Sequence, residues 1–361
     1  MTYADQIKTV KDYVRLPFLY DHWYVAGFKD EFDRTPKART LLERSLVFYR
    51  SEAGELLVFQ NRCLHRSFPL SESKLEGDEL VCRYHGIRYD TEGAVTRVPC
   101  QAHVPNRKLR KYPVKEVGPF VFIWMGEADD PRKEEKFVKL PFLEDPSFRT
   151  VSDVVELKSN YLLMQENLND LTHFSYLHRD SFGIDDSFLD NERVIEKTPE
   201  GIHCKHIAYF DGPAAAQLPP DVHPMLEGQK LEKWDGGTAV SPGIFKGYAP
   251  VFYTDKDGKR AALESFVMHY LTPETRSTSH YWWSISNNYA IENDEYYAAV
   301  KQFANVGFEE DLWACENMQN LLDNDRIEFE EMVIAGDQAG MLFRKVMLDW
   351  VQTEHGAGPA D

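Results

Sequence analysis

The chain has 361 residues and sets 41 Lys and Arg against 59 Asp and Glu, a formal net charge of −18 at pH 7. That negative surplus excludes a general nucleic-acid binder, because polyanions are repelled, and an apolar content of 43% supports packed cores rather than disorder. The length suits about two domains, and the five unevenly spaced cysteines argue for reduced thiols rather than a disulfide framework.

In chain order, the opening "MTYADQIKTVKDYVRLPF" lacks the apolar stretch of a signal peptide. No window reaches the ~18 to 20 apolar residues of a membrane-crossing helix. The expectation is a soluble, cytoplasmic protein that engages neither membrane nor nucleic acid, with residues 1–17 forming an N-terminal helix on the second domain. From residue 18, the short β-rich runs "WYVAGF", "SLVFYR", "LLVFQN" and "GPFVFIWMG" alternate with Gly, Pro and Asp/Asn punctuation. This predicts an antiparallel all-β unit over 18–126. The run "GEADDPRKEEK" (126–136) is charged, contains a proline and has no apolar period, so a boundary is expected there. Over 127–361 the pattern is mixed. "NYLLMQENLNDLTHFSYLH" and "VGFEEDLWACENMQNLLDN" read as helical, "AALESFVMHYLT" and "TSHYWWSISNNY" as strands, and "MLFRKVMLDWVQTE" as a final helix. The fold class is α+β.

Within the all-β unit, Cys63-x-His65 is separated by sixteen residues from Cys82-x2-His85. Each pair lies in turn-forming surroundings, with Pro69 after the first and Gly86 after the second, so two loops on a β-scaffold can present ligands to one centre. A closed tetrahedral zinc site is one reading. A Rieske [2Fe–2S] cluster, two Cys on one iron and two His on the other, is the second. Zinc sites more often take two ligands of one kind from each half, whereas each half here mixes a thiolate and an imidazole, which favours the cluster. Cys100-x2-His103 lacks the following glycine and reads as incidental. Cys204 and Cys315 read as buried thiols.

The second constellation is "ENLNDLTHFSYLH", from residue 166, in which Asp170, His173 and His178 form D-x2-H-x4-H. Asn167, Asp170 and His173 recur at i, i+3, i+6 beside an apolar stripe of Met164, Leu168 and Leu171. Inward-facing acids and imidazoles cost free energy unless satisfied. His173 and His178 are five apart, about 140° round an ideal helix. They can meet at one metal only if the helix widens by a π-type turn or ends between them. A 2-His-1-carboxylate triad on Fe(II) needs one carboxylate more and keeps three open positions. In "FEEDLWACENMQNLL", Asp311, Cys315, Met318 and Leu322 follow helical spacing, so Asp311 shares a buried face and is the expected third ligand. Glu316 is the runner-up, and Glu309 and Glu310 are placed at a helix N-terminus, where the dipole favours acids.

These segments together, "HWYVAG", "CLHR…CRYHG", "NLNDLTHFSYLH" and "EDLWACENMQ", resemble the oxygenase (alpha) subunit of a Rieske non-haem iron oxygenase. The style is that of the vanillate O-demethylase and toluenesulfonate monooxygenase branch. The resemblance implies a β-sandwich Rieske domain (Cys63, His65, Cys82, His85) and a helix-grip catalytic domain holding mononuclear Fe(II) at His173, His178 and Asp311. It further implies a head-to-tail homotrimer, in which Asp170 bridges His173 to His85 of the next subunit and Asn167 lines the iron site. A carboxylate between two metal-bound imidazoles orients both and shortens the electron path, and a heterologous interface closes into a ring. Electrons are expected from a separate NAD(P)H-dependent reductase, with or without a ferredoxin. The run "NRKLRKYPVK" (106–115) offers positive charge to an acidic ferredoxin or is a solvated turn. The expected reaction is monooxygenation or O-/N-demethylation of a small aromatic substrate with O2. Ring cis-dihydroxylation is the alternative on the same metals, and a Rieske electron carrier without oxygen chemistry is the alternative from another class.

Overall fold

A computed structural model of the chain describes residues 9–213, 216, 218–327 and 329–356. The chain divides into two compact units, one of residues 20–137 with 272–275, the other of 1–19, 138–271 and 276–361.

The first unit is all-β. Three short antiparallel sheets are formed by β1 (Trp23–Phe28), β10 (Phe120–Trp124) and β9 (Val114–Val117); by β2 (Lys37–Leu41), β3 (Arg44–Arg50) and β4 (Leu56–Gln60); and by β5 (Lys74–Glu76), β6 (Glu79–Val81), β7 (Arg88–Tyr89) and β8 (Val95–Arg97). Leu46, Val47, Phe48 and Tyr49 in β3 are all buried, so this strand is covered on both faces and reads as a continuous apolar run rather than an alternating one. Val47, Tyr49, Leu57, Phe59, Leu70, Leu80, Tyr89 and Leu109 form one core, and Cys63 and Cys82 belong to it. Two of the four expected ligands of this unit, Cys63 and Cys82, are thus part of the packed core.

The expected boundary at 126–136 is displaced. Trp124 Nε1 donates to Glu127 O at 2.8 Å, Trp23 Nε1 donates to Lys133 O at 2.6 Å, and Phe137 meets the Trp23 and Phe122 rings edge-on. The charged segment is thereby fastened to β1 and β10, and the division falls after Phe137. Charge masked a turn held by tryptophan side chains.

His22, which precedes β1, gives this unit an acid sensitivity. Burial, reinforced by Lys136 and Arg132, lowers its pKa to about 3 from an ordinary 6.5. Below about pH 6.5 the unfolded state takes a proton that the folded state refuses, so stability falls as pH falls through the window from about 6.5 to about 3. The loss amounts to roughly 2 kcal/mol between about pH 6.5 and about pH 5. Unfolding midpoints compared at those two values are expected to fall in the wild type and to fall by less in His22→Gln.

The second unit is built on one sheet of nine strands among the described residues. Its path runs β11 (Arg149–Leu157), β19 (Ser279–Asn287), β18 (Ser265–Pro273), β15 (Ile244–Tyr248), β14 (Lys230–Ser241), β13 (Gly201–Asp211), β12 (Glu192–Thr198); β16 (Val251–Thr254) pairs with β14, and β17 (Arg260–Leu263) with β16. Among the described residues, three helices of more than one turn accompany the sheet: α1 (Tyr161–Asn169), α2 (Asp294–Asn324) and α3 (Gln338–His355). Both expected strands and the final helix are present. The expected N-terminal helix is a single turn, Val10–Tyr13, closed by a Thr9/Asp12 capping box; residues 1–8 lie outside the described residues.

Helix α2 begins well before its sequence signature. Asn293 caps it by accepting from Tyr296 N at 2.9 Å, and Asp294 and Glu295 occupy the first turn. Glu309 and Glu310 therefore lie in mid-helix, not at an N-terminus. Its buried stripe runs Ala304, Phe308, Asp311, Cys315, Gln319 and leaves Met318 exposed.

Candidate metal centres

The loops bearing Cys63 and Cys82 have the same backbone design. Cys63 N donates to Phe68 O at 2.9 Å while Ser67 N donates to Cys63 O at 3.0 Å. Cys82 N donates to Ile87 O at 2.8 Å while Gly86 N donates to Cys82 O at 2.8 Å. The fifth residue of each loop is left-handed, with Ser67 at φ 57° and Gly86 at φ 72°, a conformation that glycine adopts freely and serine does not. The loops sink both sulfurs and leave both imidazoles at the surface. His65 Nδ1 and His85 Nδ1 face each other at 3.3 Å. Two nitrogens about 2.1 Å from one tetrahedral metal ion are roughly 3.4 Å apart, so both can serve a single iron. Tyr89 Oη lies 3.1 Å from Cys63 Sγ and accepts from Leu64 N at 3.0 Å, fixing that loop. Burial pushes the Cys82 thiol up, and hydrogen bonds from Tyr84 and His85 N–H to its sulfur oppose this. A thiol pair inside and an imidazole pair outside fit a cluster whose two irons differ in ligand type.

Cys100 and His103 are exposed, and Cys204 and Cys315 are buried. Within the run 106–115, Arg110 pairs with Glu127, Lys111 with Glu92 and Lys115 with Glu134. Leu109 and Tyr112 are buried. Much of the positive charge of that run is thus engaged inside its own unit, which weakens it as a ferredoxin surface.

In the second unit, α1 stops at Asn169. The Asp170 carboxylate accepts from Thr172 N at 2.9 Å and caps a 3-10 turn, Leu171–Ser175. His173 lies in that turn, and His178 occupies the N-cap position of the short helix Arg179–Phe182, its imidazole making no capping bond. The helix therefore ends before either histidine, neither widening nor ending between them as expected, and the pair converges from a 3-10 turn and the start of the next short helix. One donor atom each from His173, His178 and Asp311 lie within 4.8 Å of one another. Asp311 Oδ1 is 3.1 Å from His178 Nε2 and 3.5 Å from His173 Nε2. Donors about 2.1 Å from one ion are roughly 3.0 to 3.4 Å apart, so the set fits a first-row metal. His173 Nε2 is buried without a hydrogen-bond partner, and an ion among the three donors would supply one. Burial holds the His173 pKa below its ordinary value. At His178 burial acts in the same direction, but the Asp311 and Glu310 carboxylates overcome it and raise the pKa.

Asn167 Nδ2 donates to Asp311 Oδ1 at 3.0 Å and so orients the carboxylate. Asp170 differs from the expectation: its backbone carbonyl, not its carboxylate, meets His173 Nδ1, while the carboxylate caps the turn. Glu316 is not brought to the centre. Its Oε1 accepts from Lys158 N at 3.0 Å, and Gln319 Oε1 accepts from Asn160 N at 2.9 Å. Asn160 is itself the N-cap of α1, with its side chain on Leu162 N at 2.9 Å. Glu316 and Gln319 therefore tie the start of α1 to α2.

Two neighbours escaped sequence reasoning. Glu310 Oε2 is 2.6 Å from His178 Nδ1. Buried His269, on β18, bonds Tyr281 Oη at 2.6 Å and meets Phe308 at 5.2 Å, and its pKa falls to about 4 through burial, with Asp311 pulling the other way. The only sequence signal for the first is its adjacency to Asp311, and nothing local signalled the second. Tyr281, Trp282 and Trp283 on β19 are core residues, and Tyr281 and Trp283 pack against Phe308 on α2.

Residues 157–353 match the vanillate O-demethylase oxygenase C-terminal domain, and residues 22–113 match the Rieske [2Fe-2S] domain. The chain belongs to the vanillate O-demethylase oxygenase family. It is 29% identical over 351 residues to the toluene-4-sulfonate monooxygenase system iron-sulfur subunit of Comamonas testosteroni, covering 95% of this chain and 99% of that one. It is 27% identical over 351 residues to the vanillate O-demethylase oxygenase subunit of Pseudomonas sp. (strain HR199 / DSM 7063), covering 94% and 96%. Its fold is that of dicamba monooxygenase bound to dicamba, with a TM-score of 0.77, 24% identity and coverage of 94% and 99%. This oxygenase thus pairs a Rieske domain with a non-haem iron domain of mixed α and β structure, and it is an oxidoreductase of the Rieske class. No helix among the described residues is long and apolar enough to cross a membrane.

Proposed function

We propose that the oxygenase hydroxylates or O-/N-demethylates a small aromatic substrate, taking electrons one at a time from a separate NAD(P)H-dependent reductase, directly or through a ferredoxin. When bound, the cluster supplies single-electron transfer and the iron supplies dioxygen activation. The observation that carries the reading is the His173, His178 and Asp311 set: three protein ligands from two segments leave the remaining positions open. An electron carrier has no use for such a set. In the balanced reaction one oxygen atom enters a C–H bond and the other leaves as water, consuming two electrons and two protons. On a methoxy or N-methyl group the resulting hemiacetal or hemiaminal then releases formaldehyde.

The relatives are named for toluene-4-sulfonate and vanillate, both aromatic anions. A substrate of that class, an aromatic ring carrying an anionic group, belongs to this proposal. Products from methoxylated, N-methylated and sulfonated aromatics decide the matter. Formaldehyde equimolar with substrate consumed, or a benzylic alcohol, supports the reading, whereas a ring cis-diol overturns it. Reduced protein that passes electrons on but never consumes dioxygen with any aromatic would leave only the carrier.

The residue roles and assembly of this reading also include Asp170 as the bridge to a neighbouring subunit's His85 in a homotrimer, and cytoplasmic operation. Asp170→Asn keeps an oxygen that can cap Thr172 N, since asparagine is as good an N-cap as aspartate. Both metal sites are therefore expected to stay filled while turnover drops by roughly a hundredfold, because the amide lacks the charge with which the carboxylate would meet the neighbouring subunit's His85. Iron content, cluster absorbance and rate measured together test this, and full activity would remove Asp170 from the electron path.

A further inference from the structure

We infer that Glu310 is a positioning residue for the mononuclear centre: it takes the Nδ1 proton of His178 and so fixes the ring with Nε2 toward His173 and Asp311. The inference rests on the proposed metal site and adds a residue that the site's spacing did not disclose. Glu310 and Asp311 are adjacent on α2, about 100° apart around the helix axis, and they reach the same imidazole from two sides. Glu310 Oε2 stands 2.6 Å from Nδ1, and Asp311 Oδ1 stands 3.1 Å from Nε2.

Three further contacts show that this arrangement is built. Ser181, one turn beyond His178, donates its hydroxyl to the same Glu310 oxygen at 2.6 Å. Phe182 stacks on the His178 ring at 4.4 Å and 24°. Gly307, one turn before Glu310, leaves the space that Phe182 fills, since a Cβ there would lie 2.4 Å from Phe182 Cζ. The ring is held in its plane by Glu310 and across its face by Phe182. His173 is supported differently, with Nδ1 on a backbone carbonyl. A carboxylate on the outer nitrogen makes an imidazole a stronger ligand than a carbonyl does, so His178 is the anchor of the pair.

The test is titration of the apo mononuclear site with Co(II), followed by absorption, in protein whose Rieske cluster is assembled. Glu310→Ala is expected to bind Co(II) roughly 10- to 100-fold more weakly than wild type. Glu310→Gln can still accept the Nδ1 proton and is expected to recover affinity to within about threefold, a rescue that a merely space-filling role would give equally to Glu310→Leu and that this role denies to it. Ser181→Ala removes one hydroxyl, is readable even where Glu310→Ala fails to fold, and is expected to weaken binding about threefold or more. Unchanged Co(II) affinity in folded Glu310→Ala or in Ser181→Ala would overturn the inference, as would glutamine no better than leucine. Failure of the wild type to bind Co(II) would instead overturn the metal site itself.

Discussion

Asp311→Asn should abolish turnover while leaving the cluster spectrum intact. Asp311 Oδ1 lies within reach of both imidazoles, 3.1 Å from His178 Nε2 and 3.5 Å from His173 Nε2. It is also buried, so water cannot readily take its place. Asparagine preserves volume but removes the charge that balances a divalent ion, and its amide can turn an N–H donor toward that ion. The cluster loops belong to the other unit and keep their own core. Iron content should fall from three per chain to two, and the rate by roughly a thousandfold or more, in line with loss of a metal ligand. A variant that retained three irons and a tenth of wild-type activity would show that Asp311 is not the third ligand.

The second large effect is expected at Cys82→Ser. Serine is nearly isosteric but is a poor ligand for iron–sulfur clusters, which are held by thiolates. The site also lies in the packed core with Val47, Leu70, Leu80 and Tyr89. There a hydroxyl with no ligand to serve costs roughly 1 to 3 kcal/mol. The variant should be colourless, should accept no electrons from any reductant, and should melt earlier in the first unit. The mononuclear site should still take up one iron, because its donors all lie in the other unit. Retention of the visible spectrum would put the cluster elsewhere.

The candidate metal donors were readable because their chemistry forces unusual residues into unusual places. Mixed Cys–His pairs and inward imidazoles serve few purposes besides holding a metal, and Asp311 betrayed itself by sharing a stripe with Cys315. The supporting residues were less visible. Glu310 resembled a helix-start acid because the first half of α2 has an irregular apolar period, with Phe303 and Val306 exposed, so its true cap at Asn293 went unread. Glu316 looked like a ligand because its backbone partner, Lys158 N, is remote in sequence. Asp170 was expected to act through its carboxylate, and only the break in the helix shows the carbonyl in that place. The domain boundary was misplaced for a similar reason, since two indole N–H groups hold a segment whose own residues are all polar signals. Local pattern reports what a residue prefers, while these errors all concern which distant atom it meets.

One helix carries the acid proposed as the third iron ligand, the acid inferred to steady one imidazole, and the two side chains that hold the backbone at the start of α1. Its ties to Lys158 and Asn160 fasten the start of α1 to α2, so donor groups far apart in the chain are referred to one common helix rather than to the long stretch of chain between them.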